Sequence, residues 1–131
     1  PILLRLKSDL VDLIEAALDG HLDTQKADWD PRPALGVVVA AAGYPGAPRS
    51  GDVIHGLDAD SDTDTKVFHA GTCNDADGAI VTAGGRVLTV CALGDNLTRA
   101  REQAYARLDA IHFEGAFWRR DIAHRALHPQ S

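Results

Sequence analysis

The 131-residue sequence has no methionine, two cysteines and only seven aromatic residues (three Phe, two Tyr, two Trp). Translation starts at Met and this sequence starts Pro1-Ile2-Leu3-Leu4, so the expectation is a piece cut from a longer protein. Cys73 and Cys91 match neither a C-x-x-C pair nor a disulfide-rich scaffold, and read as reduced core or near-core thiols of a cytoplasmic protein. So few aromatics leave the core to Leu, Val, Ile and Ala, and provide no stacking platform for single-stranded nucleic acid. Basic runs are missing too: the longest is Arg119-Arg120, and 13 Lys and Arg stand against 19 Asp and Glu, a formal charge of −6. Nucleic acids and anionic membranes call for clustered cations, so neither is an expected partner. The longest wholly apolar stretch, Val37 to Ala42, is far short of the roughly 20 residues that span a bilayer, and the N-terminus carries no secretory pattern.

What is present, 45% hydrophobic and 24% charged residues, suits one globular domain. Apolar positions 10, 13, 14, 17 and 18 form the stripe of an amphipathic helix, capped by Ser8 or Asp9 and stopped at Gly20. Ile2 to Lys7 reads as an extended lead-in, with Arg5 and Lys7 on one face, and Ala27 to Asp30 as a short strand. Ala34 to Ala42 has the small, Val-rich character of a strand buried on both faces, and Gly43-Tyr44-Pro45-Gly46 ends it in a tight loop. Ala47 to Thr65 is loop-like, anchored at Val53-Ile54 and Leu57. Strands follow at Lys66 to Thr72, Ala79 to Ala83 and Arg86 to Leu93, the last two joined at Gly84-Gly85 by a two-residue hairpin signal. Asp95 or Asn96 caps a second helix with the stripe Leu97, Ala100, Ala104, Leu108 and Ile111. The segment from Phe113, with Phe117, Trp118 and Ile122, packs over the sheet or onto a neighbouring domain, and residues 128–131 form a disordered tail. The order predicts an α+β fold with an antiparallel sheet.

Local motifs describe no self-sufficient enzyme: there is no G-x-S-x-G elbow, H-E-x-x-H or phosphate loop. The alternating carboxylates Asp58, Asp60, Asp62 and Asp64 imitate a calcium loop, but Thr63 stands where Gly is needed and His69 where the bidentate Glu belongs, so a solvated loop is expected. Of six histidines, only His124 and His128 have a ligand-like i, i+4 spacing, without a third ligand. His69 precedes Ala70-Gly71-Thr72, where a backbone can approach a ligand; a structural His bonded to a nearby carbonyl is the plainer reading. Arg5 and Lys7 suit a phosphate or carboxylate, though solvated cations are commoner.

Taken together and in order, Arg5-Leu6-Lys7-Ser8-Asp9-Leu10, Gly43-Tyr44-Pro45-Gly46, Lys66-Val67-Phe68-His69-Ala70-Gly71-Thr72, Gly84-Gly85-Arg86-Val87-Leu88 and Phe117-Trp118-Arg119-Arg120-Asp121-Ile122 closely resemble the C-terminal portion of the phosphoribosylamine-glycine ligase family. The resemblance runs from about residue 1 to about residue 127. It implies an ATP-grasp enzyme of purine synthesis, in which ATP phosphorylates glycine and 5-phosphoribosylamine attacks the acyl phosphate, with Mg or Mn holding the phosphates. The family's nucleotide-binding strands, its metal ligands and its Arg-Phe-Gly-Asp-Pro-Glu signature lie outside this stretch, so the chain alone is expected to be inactive and its partner to be the N-terminal remainder. The expected division is 1–20 for the end of the ATP-grasp module (strand lead-in and helix), 21–127 for a small antiparallel-sheet or barrel-like C-terminal domain closing one side of the cleft, and 128–131 for the tail. Carried over residue by residue, the cleft-lining positions are Arg5, Lys7, Tyr44, His69, Thr72 and Arg86, with no catalytic residue and no metal ligand. The alternative is a free-standing, non-catalytic β-rich binding or interaction module.

Overall fold

The computed structural model describes residues 1–59 and 63–128. Its elements are α1 (Ile2–Arg5), α2 (Leu10–Leu18), a 3-10 turn (Leu22–Thr24), β1 (Ala34–Ala40), β2 (Thr65–His69), β3 (Thr72–Asn74), β4 (Ile80–Thr82), β5 (Arg86–Leu93), α3 (Leu97–Asp109) and α4 (His124–Leu127). β5 is the middle strand of a three-stranded antiparallel sheet, β1-β5-β2, while β3 and β4 form a second, two-stranded one. One face of the larger sheet carries the core. Leu35, Val37 and Val39 of β1 and Leu88, Val90 and Ala92 of β5 are buried with Ala100, Ala104 and Leu108 of α3, as the helical stripe requires. Asn96 caps α3, its Oδ1 accepting from the Arg99 N–H at 3.0 Å.

Five expectations change. Residues 2–5 are a helical turn instead of an extended lead-in, and only Leu6 pairs, with Trp29, in an isolated bridge. Pro1, Ile2 and Leu3 lie along a groove with Phe68, Thr89 and Cys91 on the outer face of the larger sheet. Ala27 to Asp30 contributes that bridge alone. β1 is an edge strand buried on one face: Val38 is 41% exposed, because α3 covers only the other side. Cys91 is buried, but Cys73 is exposed on β3; both are free.

The fifth change concerns Gly84-Gly85. These residues make no hairpin, because β4 pairs with β3 (Thr72↔Thr82 to Asn74↔Ile80) and β5 with β1 and β2. The chain crosses here from the small sheet to the large one. Gly71 interrupts the expected Lys66 to Thr72 strand at the same place, its N–H donating to the carbonyls of Arg86 (3.0 Å) and Val87 (3.1 Å). A Cβ on Gly71 would stand 2.8 Å from the Arg86 oxygen and 2.9 Å from Gly84 Cα, so two backbones touch where no side chain fits.

The tail packs back. Phe113 is buried, Phe117 bridges Ala40, and Trp118, Ile122 and Ala123 rest on the core. α3 holds this segment by its side chains: Tyr105 donates to the Arg119 carbonyl (2.5 Å), and Arg101 to those of Arg120 (2.8 Å) and Ile122 (3.1 Å). Residues 129–131 of the expected tail, and Asp60, Ser61 and Asp62 of the acidic loop, lie outside the described residues.

Arg32 clamps the connection before β1 to the entry of β2. Its guanidinium makes bidentate contacts to Asp30 and to Asp64, with Nη2 and Nη1 each 2.8 Å from an Oδ2. The side-chain hydrogen bonds from Arg32, above all, hold the Asp30 carboxyl down at about 2 from its ordinary 3.8. A depressed carboxyl stabilises the fold above its unfolded value and stops doing so as pH falls through the folded one. The stability difference between the wild type and Arg32→Ala is therefore expected to be level from neutral pH to about 5 and to shrink between about pH 4 and pH 2. Chemical denaturation at stepped pH measures it; a gap that persists at pH 2 would remove Asp30 from the account.

Candidate functional site

Arg86 opens β5 beside the turn that follows β1, and backbone bonds fix that turn: the Ala41 N–H donates to the Gly85 carbonyl (2.9 Å) and the Tyr44 N–H to the Ala41 carbonyl (3.1 Å). The Tyr44–Pro45 peptide is cis. Tyr44 lays its ring against the bare backbone of Gly85, where a Cβ would overlap it. Arg86 and Tyr44 thereby enter one cavity of about 280 Å³, floored by Gly36, Val38 and Ala40 of β1 and walled by Phe117, Trp118, Arg119 and Ile122.

The two cations of this cavity differ. Arg119 is committed to Asp121 through two contacts, 2.9 Å and 2.6 Å, and these side-chain hydrogen bonds raise its pKa. The Arg86 guanidinium has no hydrogen-bond or ionic partner among the described residues. A free guanidinium beside an aromatic, mostly apolar wall suits a ligand with an anionic group on a compact body, since guanidinium pairs bidentately with carboxylate or phosphate. Trp118 Nε1 is also buried without a partner.

The six sequence-derived positions fall into two groups. Tyr44 and Arg86 share the cavity. His69 and Thr72 flank Gly71, whose N–H reaches the Arg86 carbonyl, so they abut the same end of β5; His69 Nδ1 and Thr72 Oγ1 are hydrogen-bonded at 3.1 Å, a hydroxyl partner in place of the expected carbonyl. Arg5 and Lys7 face the 28–30 segment instead: Arg5 Nε donates to the Asp30 carbonyl (3.0 Å), and Lys7 Nζ pairs with Asp28 at 3.7 Å. The helical turn at 2–5 removes the alternation that would have aligned them.

Trp118 and Arg119 belong to this cavity although the sequence reading gave them no site role. Their Phe117-Trp118-Arg119-Arg120 block is visible in the sequence, but its position against β1 depends on the long-range Ala40 to Phe117 bridge. Among the described residues no group of three His, Cys, Asp or Glu side chains is arranged to hold a metal ion. No helix among them is long and apolar enough to cross a membrane.

Residues 34–125 match the family described as phosphoribosylglycinamide synthetase, C domain. Over 127 residues the chain is 58% identical to the phosphoribosylamine-glycine ligase of Xylella fastidiosa, covering 97% of this chain and 29% of that protein. It is 54% identical to the enzyme of the same name from Escherichia coli O157:H7, again over 97% of this chain and 30% of that protein. The chain thus spans less than a third of the length of these curated relatives. The crystal structure of phosphoribosylamine-glycine ligase from Thermotoga maritima superposes with a TM-score of 0.68 at 40% identity, over 84% of this chain and 27% of that one. The chain belongs to the phosphoribosylglycinamide synthetase C-domain family.

Proposed function

We propose that this chain is the C-terminal part of an ATP-dependent ligase of purine biosynthesis that joins glycine to 5-phosphoribosylamine. The observation that carries the reading is identity of 58%, sustained over 97% of the chain, to enzymes bearing that name. A carboxylate is a poor electrophile. Transfer of the terminal phosphoryl group of ATP to glycine makes an acyl phosphate, which the amine of phosphoribosylamine attacks with release of phosphate. The contribution of this part is positional and electrostatic: Arg86 offers its free guanidinium to an anionic group of a substrate, and Tyr44, His69 and Thr72 shape the cleft around it. Arg5 and Lys7 stay as outer cleft residues on this reading.

On this reading ATP and its Mg or Mn ion are held mainly by the N-terminal remainder. The apolar stripe of α2 supports the division at residue 20. Leu10, Ile14 and Leu18 are exposed and no residue of α2 is buried, as expected of a helix that completes the ATP-grasp module and packs against that remainder. Residues 21–127 then form the domain that closes one side of the cleft of a cytoplasmic enzyme. The alternative, a free-standing binding module, has no specific contact in its favour.

Two measurements test this. The chain alone is expected to show no ATP-dependent glycine ligation, and mixing it with the matching N-terminal remainder to restore it. In the full-length enzyme, Arg86→Ala is expected to lower kcat/KM about tenfold or more, the equivalent of losing roughly 1.4 kcal/mol of charge-assisted bonding, with the fold intact by circular dichroism. Failure to restore ligation, or unaltered kinetics in Arg86→Ala, would refute the respective claim.

A further inference from the structure

A second cavity, of about 420 Å³, shares no lining residue with the Arg86 pocket; Asp52, Val53, His55, His112, Phe113, Glu114 and Gly115 surround it. His55 and His112 are 57 positions apart in sequence, yet they form an isolated antiparallel bridge, with N–H to carbonyl bonds of 2.9 Å and 3.2 Å in the two directions. Their imidazoles stack, centroids 5.3 Å apart at 28°. The backbone beneath is rigid: Ile54, Ile111 and Phe113 on either side are buried, and Arg107 Nη2 donates to the carbonyls of Gly56 (2.9 Å) and Leu57 (3.0 Å). Neither imidazole has a hydrogen-bond or ionic partner among the described residues. Asp52, its side chain 7% exposed, binds Arg49 through Oδ1 at 2.5 Å, while its Oδ2 is buried with no partner.

From this geometry we infer that His55 and His112 form a two-imidazole site for a divalent transition-metal ion of the Zn2+, Cu2+ or Ni2+ class. Imidazole nitrogen suits these ions, whereas Mg2+ and Ca2+ prefer oxygen ligands. With no third ligand arranged beside them, water completes the coordination, and the Glu114 side chain also lines the cavity. The cross-strand pair is pre-organised by two backbone bonds, so binding orders only two side chains. The other histidine pair, His124 and His128 with centroids 4.8 Å apart, spans a four-residue helix near the chain end and lacks that support. This site is independent of the ligase reading.

Isothermal titration of Zn2+ into the untagged 131-residue chain near neutral pH tests it. The expected result is one saturable site, weakened about tenfold or more by either His55→Gln or His112→Gln and unaltered by His124→Gln. No saturable binding, indifference to either of the first two substitutions, or loss in His124→Gln would overturn it. A check that needs no variant is Cu2+ broadening of the wild-type histidine ring protons by NMR: His55 and His112 are expected to broaden first, and earliest broadening at His124 and His128 would overturn the assignment.

Discussion

A Gly56→Ala variant is expected to be less stable than the wild type by about 2–4 kcal/mol. Two independent costs combine. Gly56 has φ +80°, a left-handed conformation that L side chains adopt at roughly 1–2 kcal/mol. Its Cβ would also overlap the carbonyl oxygen of Ala110, with Ala110 C at 2.8 Å and Ile111 Cα at 3.4 Å. These are backbone atoms at the end of α3, so no rotamer change relieves the overlap. The loop from Val53 to Leu57 would have to lift from α3, straining the Arg107 bonds to Gly56 and Leu57 and the His55 to His112 bridge. Gly51, with φ +92° and nothing within 4 Å of its Cβ position, isolates the conformational part: Gly51→Ala is expected to cost only about 1–2 kcal/mol. Denaturant midpoints at unchanged m measure both, and equal losses in the two variants would show that the contact with Ala110 carries no weight.

Leu108→Ala is expected to cost about 2–5 kcal/mol. Leu108 is fully buried in the cluster where α3 lies on Val37, Val39, Leu88 and Val90. Truncation removes apolar contact and leaves a cavity in a packed core, and the cost depends on how far the neighbours collapse into it. The comparison that sharpens the point is Leu18→Ala in α2. Leu18 is 82% exposed, so its loss in this chain is expected to fall within about 0.5 kcal/mol. If Leu18→Ala were as damaging as Leu108→Ala, α2 would be packed in solution and the exposure of its stripe would be wrong.

Those two leucines show what was legible and what was not. Both helices announce themselves in the sequence by apolar spacing and an N-cap, and the structure has both, at Leu10–Leu18 and Leu97–Asp109. The same periodicity cannot say whether a stripe meets a sheet of this chain, because it marks a face suited to burial without naming the surface opposite. Gly84-Gly85 failed for a related reason. Paired glycines signal either a tight turn or the touching of two backbones, and only the partner, Gly71, decides between them. In the site, Tyr44 and Arg86 came from the resemblance of their blocks to the family, and the structure brings both to one cavity. The bridge of Phe117 to Ala40 and the stacking of His55 on His112 join residues far apart in the chain, which no local pattern encodes.

By itself, then, the sequence determined the class of the domain, its two principal helices, the strands that supply its aliphatic core and, through ordered blocks, the family to which it belongs. Those features rest on short-range spacing and on residue identity, which a chain carries without folding. The tertiary structure alone decided that β5 lies at the centre, that the glycine pair is a crossing between sheets, that Arg5 and Lys7 turn to the 28–30 segment, and that Arg86 shares a cavity with Tyr44 and Trp118. Each of these depends on which distant surface wins the competition to bury apolar area and satisfy backbone polar groups, a contest settled only when the whole chain is packed.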